Sequence, residues 1–272
     1  MNRTLIRTIA TLVAPTLAMA CGISSTSESE ERVAEIGQAL TGSAVLTPGN
    51  VYAGEHETAS SACPAGKTMT GGGFVNENSL FMKACGPNKK WWFSEADNPG
   101  SASSTVYAEA ECLNAVVGAT TAQAEVTINP NASGCAIATC PANYNATGGG
   151  FSENRVGPHS YRSEPSGTTA WIACTYNDTS GPVKFTTYAR CVASSAGTVT
   201  SATSGATPIG AGQSGSALVS CPAGKFPAGG GYRHTQGDWT VTSSRAGSSY
   251  WAVAATNNTS SSGNLYASVK CL

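Results

Sequence analysis

Three segments of this 272-residue chain repeat one pattern, and this repetition constrains the fold more than any other feature. Each copy starts with Cys-Pro-Ala and has three glycines and an aromatic residue from the eighth residue after that Cys. A Trp follows, then an Asn six residues beyond it and a Cys fourteen residues beyond the Asn. The copies run from Cys63 to Cys112, from Cys140 to Cys191 and from Cys221 to Cys271. Three matching registers indicate an internal repeat.

The residues before each closing Cys alternate in polarity. In the first copy the apolar residues are Val106, Ala108 and Ala110, and the other two copies alternate in the same way. The residues between the apolar ones include Glu109, Glu111, Arg190 and Lys270. A period of two with one apolar face predicts a half-buried β-strand.

Composition also favours β-structure. Charged residues make up only 11% of the chain and there are 31 glycines, whereas a helix bundle would need more Leu, Glu and Lys. We expect five or six short strands in each copy and no helix after residue 42. The predicted fold class is therefore all-β, with three tandem disulfide-stapled β-repeats. Either a β-prism-like unit or successive small β-sandwiches would satisfy this pattern.

The first 20 residues are typical of an export signal. Arg3 and Arg7 precede an apolar run over 9–19 that is too short to span a bilayer. Two cleavage interpretations stay open, and residues 18–20 (Ala-Met-Ala) fit an ordinary signal-peptidase site. Residues 17–21 (Leu-Ala-Met-Ala-Cys) resemble the lipobox of bacterial lipoproteins, although Ala18 stands where a large aliphatic residue is usual.

The lipobox resemblance implies that Cys21 is the lipid attachment site. Residues 21–43 would then be a polar, Ser- and Glu-rich tether, and the acyl chains would hold the protein at a membrane of the cell envelope. An unlipidated Cys21 would leave the protein extracellular.

The matched cysteines of an exported chain argue for disulfides rather than reactive thiols. We pair the first and last Cys of each copy: Cys63 with Cys112, Cys140 with Cys191, and Cys221 with Cys271. Each bond would close a loop of about 50 residues, which is worth roughly 4 kcal/mol on the chain-entropy model. Cys135 and Cys174 lie in one copy and are candidates for a fourth bond, which leaves Cys85 over.

The repeated residues resemble a module of many secreted bacterial proteins, with the pattern C-P-A-G, G-G-G-[FY], W, N and A-x-C. The resemblance covers 44–272, which we divide into copies at 44–117, 118–198 and 199–272; Asn143 replaces the motif's Gly in the second copy. The module has no firmly assigned activity, so the resemblance implies a location and a β-architecture but no chemistry.

Candidate ligand-binding residues are those that differ between copies. The recurring Trp92, Trp171 and Trp251 are expected to anchor the core, so the variable residue before each one is the better candidate for an exposed stacking surface. Trp91 and Tyr250 occupy that position in the first and third copies. Loops that diverge on a repeated scaffold often carry specificity. The loops after the Gly-aromatic segments add Glu77, Asn78, Glu153, Asn154 and Trp239.

No catalytic, cofactor-binding or metal-binding motif rises above background. The histidines do not occupy matching repeat positions, and the Gly triplets lack the strand and helix of a phosphate loop. A net charge of −1 without a basic stripe argues against nucleic acid. We expect a non-enzymatic envelope or surface protein that binds carbohydrate or another extracellular component. The alternatives are a structural or spacer protein that binds a partner protein, and a secreted hydrolase.

Overall fold

The structure, a computed structural model, describes residues 42–77, 80–155 and 159–272. The predicted export signal, Cys21 and Asn78 therefore lie outside the described residues. Within them the chain forms β-strands and a single 3₁₀ turn at Ser194–Ala196. The all-β class predicted from the sequence is confirmed.

Each copy of the repeat contributes six strand positions. The first copy contains β1 (Gly42–Val51), β2 (His56–Ala62), β3 (Thr68–Asn76), β4 (Phe81–Asn88), β5 (Trp91–Asp97) and β6 (Ser104–Leu113). The second contains β7 (Ala119–Ile128), β8 (Ala132–Thr139), β9 (Tyr144–Glu153), β10 (His159–Ser166), β11 (Ala170–Asn177) and β12 (Val183–Ala193). The third contains β13 (Thr200–Thr203), β14 (Thr207–Ile209), β15 (Ser214–Ser220), β16 (Pro227–His234), β17 (Trp239–Ala246), β18 (Tyr250–Asn257) and β19 (Gly263–Cys271). Its first strand position is divided, since β13 and β14 both pair with β19.

The strands form three sheets, and each sheet is shared by two copies. Their orders are β1-β6-β3-β17-β18-β15, β2-β5-β4-β9-β12-β7, and β13-β19-β16-β10-β11-β8 with β14 also on β19. The third strand of each copy pairs with the fourth strand of another: β9 with β4, β16 with β10, and β3 with β17. These pairings close a ring of three copies. No sheet in the described part of the chain lies within a single copy.

Each copy is a two-layered unit whose layers belong to different sheets. In the first copy the side chain of Trp92 on β5 packs against Gly72 on β3, where an added Cβ would lie 2.4 Å from the indole ring. Trp92, Trp171 and Trp251 are at most 1% exposed, as expected of core anchors. The second glycine of each triplet therefore leaves room for the Trp of the opposite layer.

The first glycines of the triplets bring the three copies together. A Cβ on Gly148 would lie 2.6 Å from the Cα of Gly71, and a Cβ on Gly229 would lie 2.9 Å from the Cα of Gly148. Contacts this close to backbone atoms exclude any side chain. The triplets thus serve close backbone packing.

The disulfides join the layers in the pairing expected from the repeat. The Cys63–Cys112, Cys140–Cys191 and Cys221–Cys271 bonds each connect the end of a second strand to the sixth strand of the same copy. A fourth bond links Cys135 with Cys174, which face each other on the paired strands β8 and β11. Cys85 is a free, buried thiol.

The recurring Asn organises the loop between the fifth and sixth strands. The side-chain amide of Asn98 donates to Val51 O and Ala102 O at 2.9 and 2.8 Å. Asn177 makes the equivalent bonds to Ile128 O and Gly181 O, both at 2.9 Å. Asn257 bonds in the same way in the third copy. The Asn thus ties its loop to the end of the first strand.

One expectation about the sixth strands is wrong. Their alternation predicted a half-buried strand, yet Glu109, Glu111, Arg190 and Lys270 on the second face are also buried, at 0–6% exposure. The reason is that this second face packs against another copy. For example, Arg190 on β12 donates to the carbonyl of Met69 on β3. A sequence period shows which residues share a face, but it does not show that a neighbouring copy covers that face.

Candidate functional site

A groove with a volume of about 750 Å³ lies where the first and second copies meet. The Cys-Pro-Ala-Gly-Lys turn, the tip of the β4–β5 hairpin, the link to β7 and the end of β12 form its walls. We call it the basic groove, because Lys67, Lys89, Lys90 and Arg190 line it and no Asp or Glu does so among the described residues. Four cations around one concave surface create a positive potential that attracts anions.

Arg190 forms the buried part of this groove. It is 6% exposed, and its guanidinium donates to Met69 O at 2.8 Å and to Lys89 O at 2.9 Å. Burial lowers its pKa to about 10. No carboxylate of the described chain pairs with it. A buried cation without a counter-charge is costly, and an anionic ligand in the groove would offset that cost.

Local backbone geometry places the groove's lysines. Lys89 has a φ of 53° at the tip of the hairpin, so the chain turns sharply there and the Lys89 carbonyl meets Arg190. Lys67 ends the Cys-Pro-Ala-Gly-Lys turn, in which its backbone N–H donates to Pro64 O at 3.2 Å. Its ammonium donates to Ser43 Oγ at 3.0 Å. Lys67 and Lys89 are therefore held by turns that the repeat itself defines.

Trp91 directly follows Lys90 and is 53% exposed. Because strands alternate, Trp92 points into the core whereas Trp91 and Phe93 share the outer face of β5. Phe93 meets Tyr188 of β12 edge to face, with 6.1 Å between ring centroids. The expected exposed aromatic is thus present beside the basic groove, on a face that continues into the second copy.

Tyr250 holds the equivalent position in the third copy but has a different environment. It is partly buried, and its ring covers Gly247, where an added Cβ would lie 2.2 Å from the ring. The equivalent Ala170 of the second copy is buried. The structure therefore does not bring Trp91 and Tyr250 together into one surface.

The predicted loop residues divide into exposed and buried ones. Glu77 and Asn154 are exposed; Glu77 accepts a hydrogen bond from Tyr107 at 3.3 Å, and Asn154 accepts one from the backbone N–H of Lys184 at 2.9 Å. Glu153 and Trp239 are buried, at 3% and 5% exposure, which corrects the expectation that they lie in exposed loops.

Strand continuation explains the burial of these two residues. Glu153 is the last residue of β9, and burial raises the pKa of its carboxyl well above the usual value. Trp239 is the first residue of β17 and stacks on His234, with 5.0 Å between ring centroids. Both side chains contribute to the interior rather than to a loop surface.

His159 and His234 lie in confined surroundings. His159 lies 3.2 Å from Asp178 and 4.0 Å from Asp238. His234 is 3% exposed, and burial lowers its pKa to about 4. The cavity that His159 lines has a volume of about 30 Å³, which is the share of one water molecule. Among the described residues no group of three or more His, Cys, Asp or Glu side chains could hold a metal ion.

Sequence reasoning missed Arg190 and Lys67 as site residues. Arg190 was assigned only to a strand, among the residues that alternate with the apolar ones. The available signal was a charged residue directly before a closing Cys, at a position that the structure buries in all three copies. Only the packing of one copy on another brings Arg190 next to Lys89.

The described chain is thus an all-β, disulfide-linked repeat protein with an electropositive groove between two copies. None of its helices is long and apolar enough to cross a membrane. No protein-family model matches the chain, and no curated protein matches it significantly.

Proposed function

We propose that this chain is a non-enzymatic protein of the cell envelope that binds an acidic polysaccharide through the basic groove and Trp91. The observation that carries the proposal is the set of four cations around one groove, which no carboxylate of the described residues neutralises. Uronic acids, sulfates and phosphates are the anions found on extracellular glycans, and guanidinium and ammonium groups are suited to bind them.

The aromatic residue supports a glycan over a small inorganic anion. An exposed indole offers a flat apolar face on which a sugar ring can stack, and Trp91 lies one residue from a groove lysine. The groove volume of about 750 Å³ suits a short stretch of polymer. Phe93 and Tyr188 continue the aromatic face away from the hairpin tip.

Attachment to a membrane through Cys21 belongs to the same proposal. Strand β1 begins at Gly42, next to the Ser43 hydroxyl that Lys67 holds. A tether that ends where β1 begins would enter the fold near the basic groove and would keep that groove facing the envelope layer around it.

Binding to defined polymers tests the proposal. The full chain should bind polygalacturonate and heparin but not neutral dextran, and Trp91→Ala should weaken binding by about tenfold, because stacking on an aromatic ring is lost. Leu218→Ala is the matched control, since Leu218 is also 53% exposed and lies in the third copy.

Two results would overturn the proposal. One is equal binding to dextran and to the acidic polymers, which would remove the role of the cations. The other is the absence of polysaccharide binding together with a protein that co-purifies stably, which would favour the structural or spacer role.

A further inference from the structure

The residue directly before the closing Cys is charged and buried in all three copies. Arg190 and Lys270 use this position in the same way. Arg190 donates to the carbonyl of Lys89, at the tip of the hairpin between the fourth and fifth strands of the first copy. Lys270 donates to the carbonyl of Gly167, at the equivalent hairpin tip of the second copy. We call the contact between one copy's sixth strand and the neighbouring copy's hairpin tip a junction. In two of the three junctions, a cationic side chain of the protein therefore binds the neighbouring hairpin.

The third junction has an acid in place of that cation. Glu111 lies before Cys112 and faces the hairpin tip of the third copy, across a cavity of about 320 Å³ that Ala246, Gly247 and Ser248 line from the other side. Glu111 is 3% exposed, and its Oε1 atom has no hydrogen-bond partner within the part of the chain that the structure describes. A carboxyl group carries at most one O–H and no N–H, so this junction lacks the cationic N–H donor that the other two possess.

The nearby charged groups do not supply this donor. Glu109 on the same strand accepts a hydrogen bond from the Ala246 N–H at 3.0 Å, and the Arg245 guanidinium of β17 lies 3.7 Å from Glu109. The Lys67 ammonium is bonded to Ser43, which also lines the cavity. The Oε1 atom of Glu111 is therefore left without a partner among the described residues, at the wall of this cavity.

We propose that this cavity binds a primary alkylammonium group from outside the chain, which takes the place that the Lys270 ammonium fills at the equivalent junction. The ligand would donate to Glu111 and to the carbonyls of the hairpin tip. The ring of Phe226 and the apolar surface of Pro227 also line the cavity, and they suit the alkyl chain and the cation beside it. A lysine side chain of a peptide and a free diamine share this chemistry.

Binding of the ammonium should release a proton. Burial, followed by the hydrogen bond and the charge of Glu109, raises the pKa of Glu111 well above its usual value. The ligand requires the ionised carboxylate, so the proton of Glu111 passes to the buffer as the cation enters. The facing charged groups are Glu109, which opposes ionisation, and Arg245, which favours it.

Calorimetric titration of the full chain at pH 7 with pentylamine tests this proposal, with 1-pentanol as the neutral control of equal length. Pentylamine should bind and 1-pentanol should not, and buffers of different ionisation enthalpy should reveal the released proton. Glu111→Gln should weaken amine binding by about tenfold or more and should abolish proton release, because the charge partner is lost. Glu153→Gln, which alters another buried carboxyl, should change neither.

A second variant tests the equivalence with Lys270. Glu111→Lys should raise the midpoint of thermal unfolding and abolish pentylamine binding, because its own ammonium fills the cavity. Parallel titrations with acetyl-Gly-Lys-Gly-amide and with cadaverine would show whether a peptide or a free diamine binds more tightly.

The contradicting outcomes are distinct from those for the basic groove. Equal binding of pentylamine and 1-pentanol would overturn the proposal, and so would unchanged amine binding in Glu111→Gln. Both tests remain valid even if the Glu111→Lys variant does not fold. Loss of polysaccharide binding leaves these results unaffected.

Discussion

Ser163 accepts a hydrogen bond from the indole N–H of Trp171 at 3.0 Å, beneath the core of the second copy. Ser244 does the same for Trp251 at 2.9 Å in the third copy. The strand pairings place Cys85 at the equivalent position of the first copy, since Cys85, Ser163 and Ser244 each face the aromatic residue of a Gly triplet. There the N–H of Trp92 has no partner among the residues that the structure describes. Cys85, with its free thiol, thus occupies the position that a serine holds in the other two copies.

Cys85→Ser should therefore stabilise the protein. The new hydroxyl would give the buried Trp92 N–H its partner, which is worth about 1 kcal/mol. Denaturant unfolding measures the change, with Cys85→Ala as a control that removes the thiol without adding an acceptor. A Ser variant no more stable than the Ala variant would contradict the assignment.

The glycine contacts predict a strong effect of one methyl group. Gly148→Ala should destabilise the fold by about 3 kcal/mol or prevent folding, because the new Cβ meets the backbone of Gly71 from another copy. Gly205 has no atom within 4 Å of an added Cβ, so Gly205→Ala should change stability by less than about 0.5 kcal/mol. Thermal unfolding compares the two. Equal stability of both variants would show that the copies do not meet at Gly148.

The buried Lys270 predicts a rise of stability at alkaline pH. Burial lowers its pKa from 10.5 to about 8, so the unfolded chain binds one more proton than the folded one between these values. The free energy of unfolding should increase by up to roughly 3 kcal/mol as the pH rises through this window, and below pH 8 this contribution should be constant. Denaturant unfolding at several pH values should show the rise in the wild type and not in Lys270→Met. The same rise in both proteins would assign it to another group.

The anchor prediction concerns the processed N-terminus. Mass spectrometry of the mature protein should find acylated Cys21, and Cys21→Ser should move the protein from the membrane fraction to the soluble fraction. Cys85→Ser serves as the control for loss of a thiol elsewhere. An unmodified N-terminus on a soluble wild-type protein would rule out the anchor.

Much of the architecture could be read from local patterns. The disulfide pairing followed from equal spacing, and the burial of Trp171 and Trp251 followed from their recurrence. The sharing of each sheet between two copies could not be read, because β9 pairs with β4 through contacts that no spacing within one copy records.

The candidate site was harder to predict from the sequence for the same reason. Trp91 was found because it differs from its counterparts, but Arg190 reaches Lys89 only across a junction between copies. Glu153 and Trp239 were misplaced because polar and variable residues indicate a loop, whereas here they continue buried strands. Neighbouring copies cover surfaces that the sequence of one copy leaves open.

The central claim is that cations of the basic groove without a carboxylate partner in the described residues bind an acidic polymer. The salt dependence of polygalacturonate binding tests this claim most directly. For the full chain, the dissociation constant should rise steeply between about 50 and 200 mM salt, because charge attraction is screened. Lys89→Ala combined with Lys90→Ala should weaken binding at low salt and flatten this dependence, whereas Lys184→Ala, outside the groove, should leave both unchanged. A dissociation constant that is insensitive to salt, or identical in the double variant and the wild type, would contradict the account.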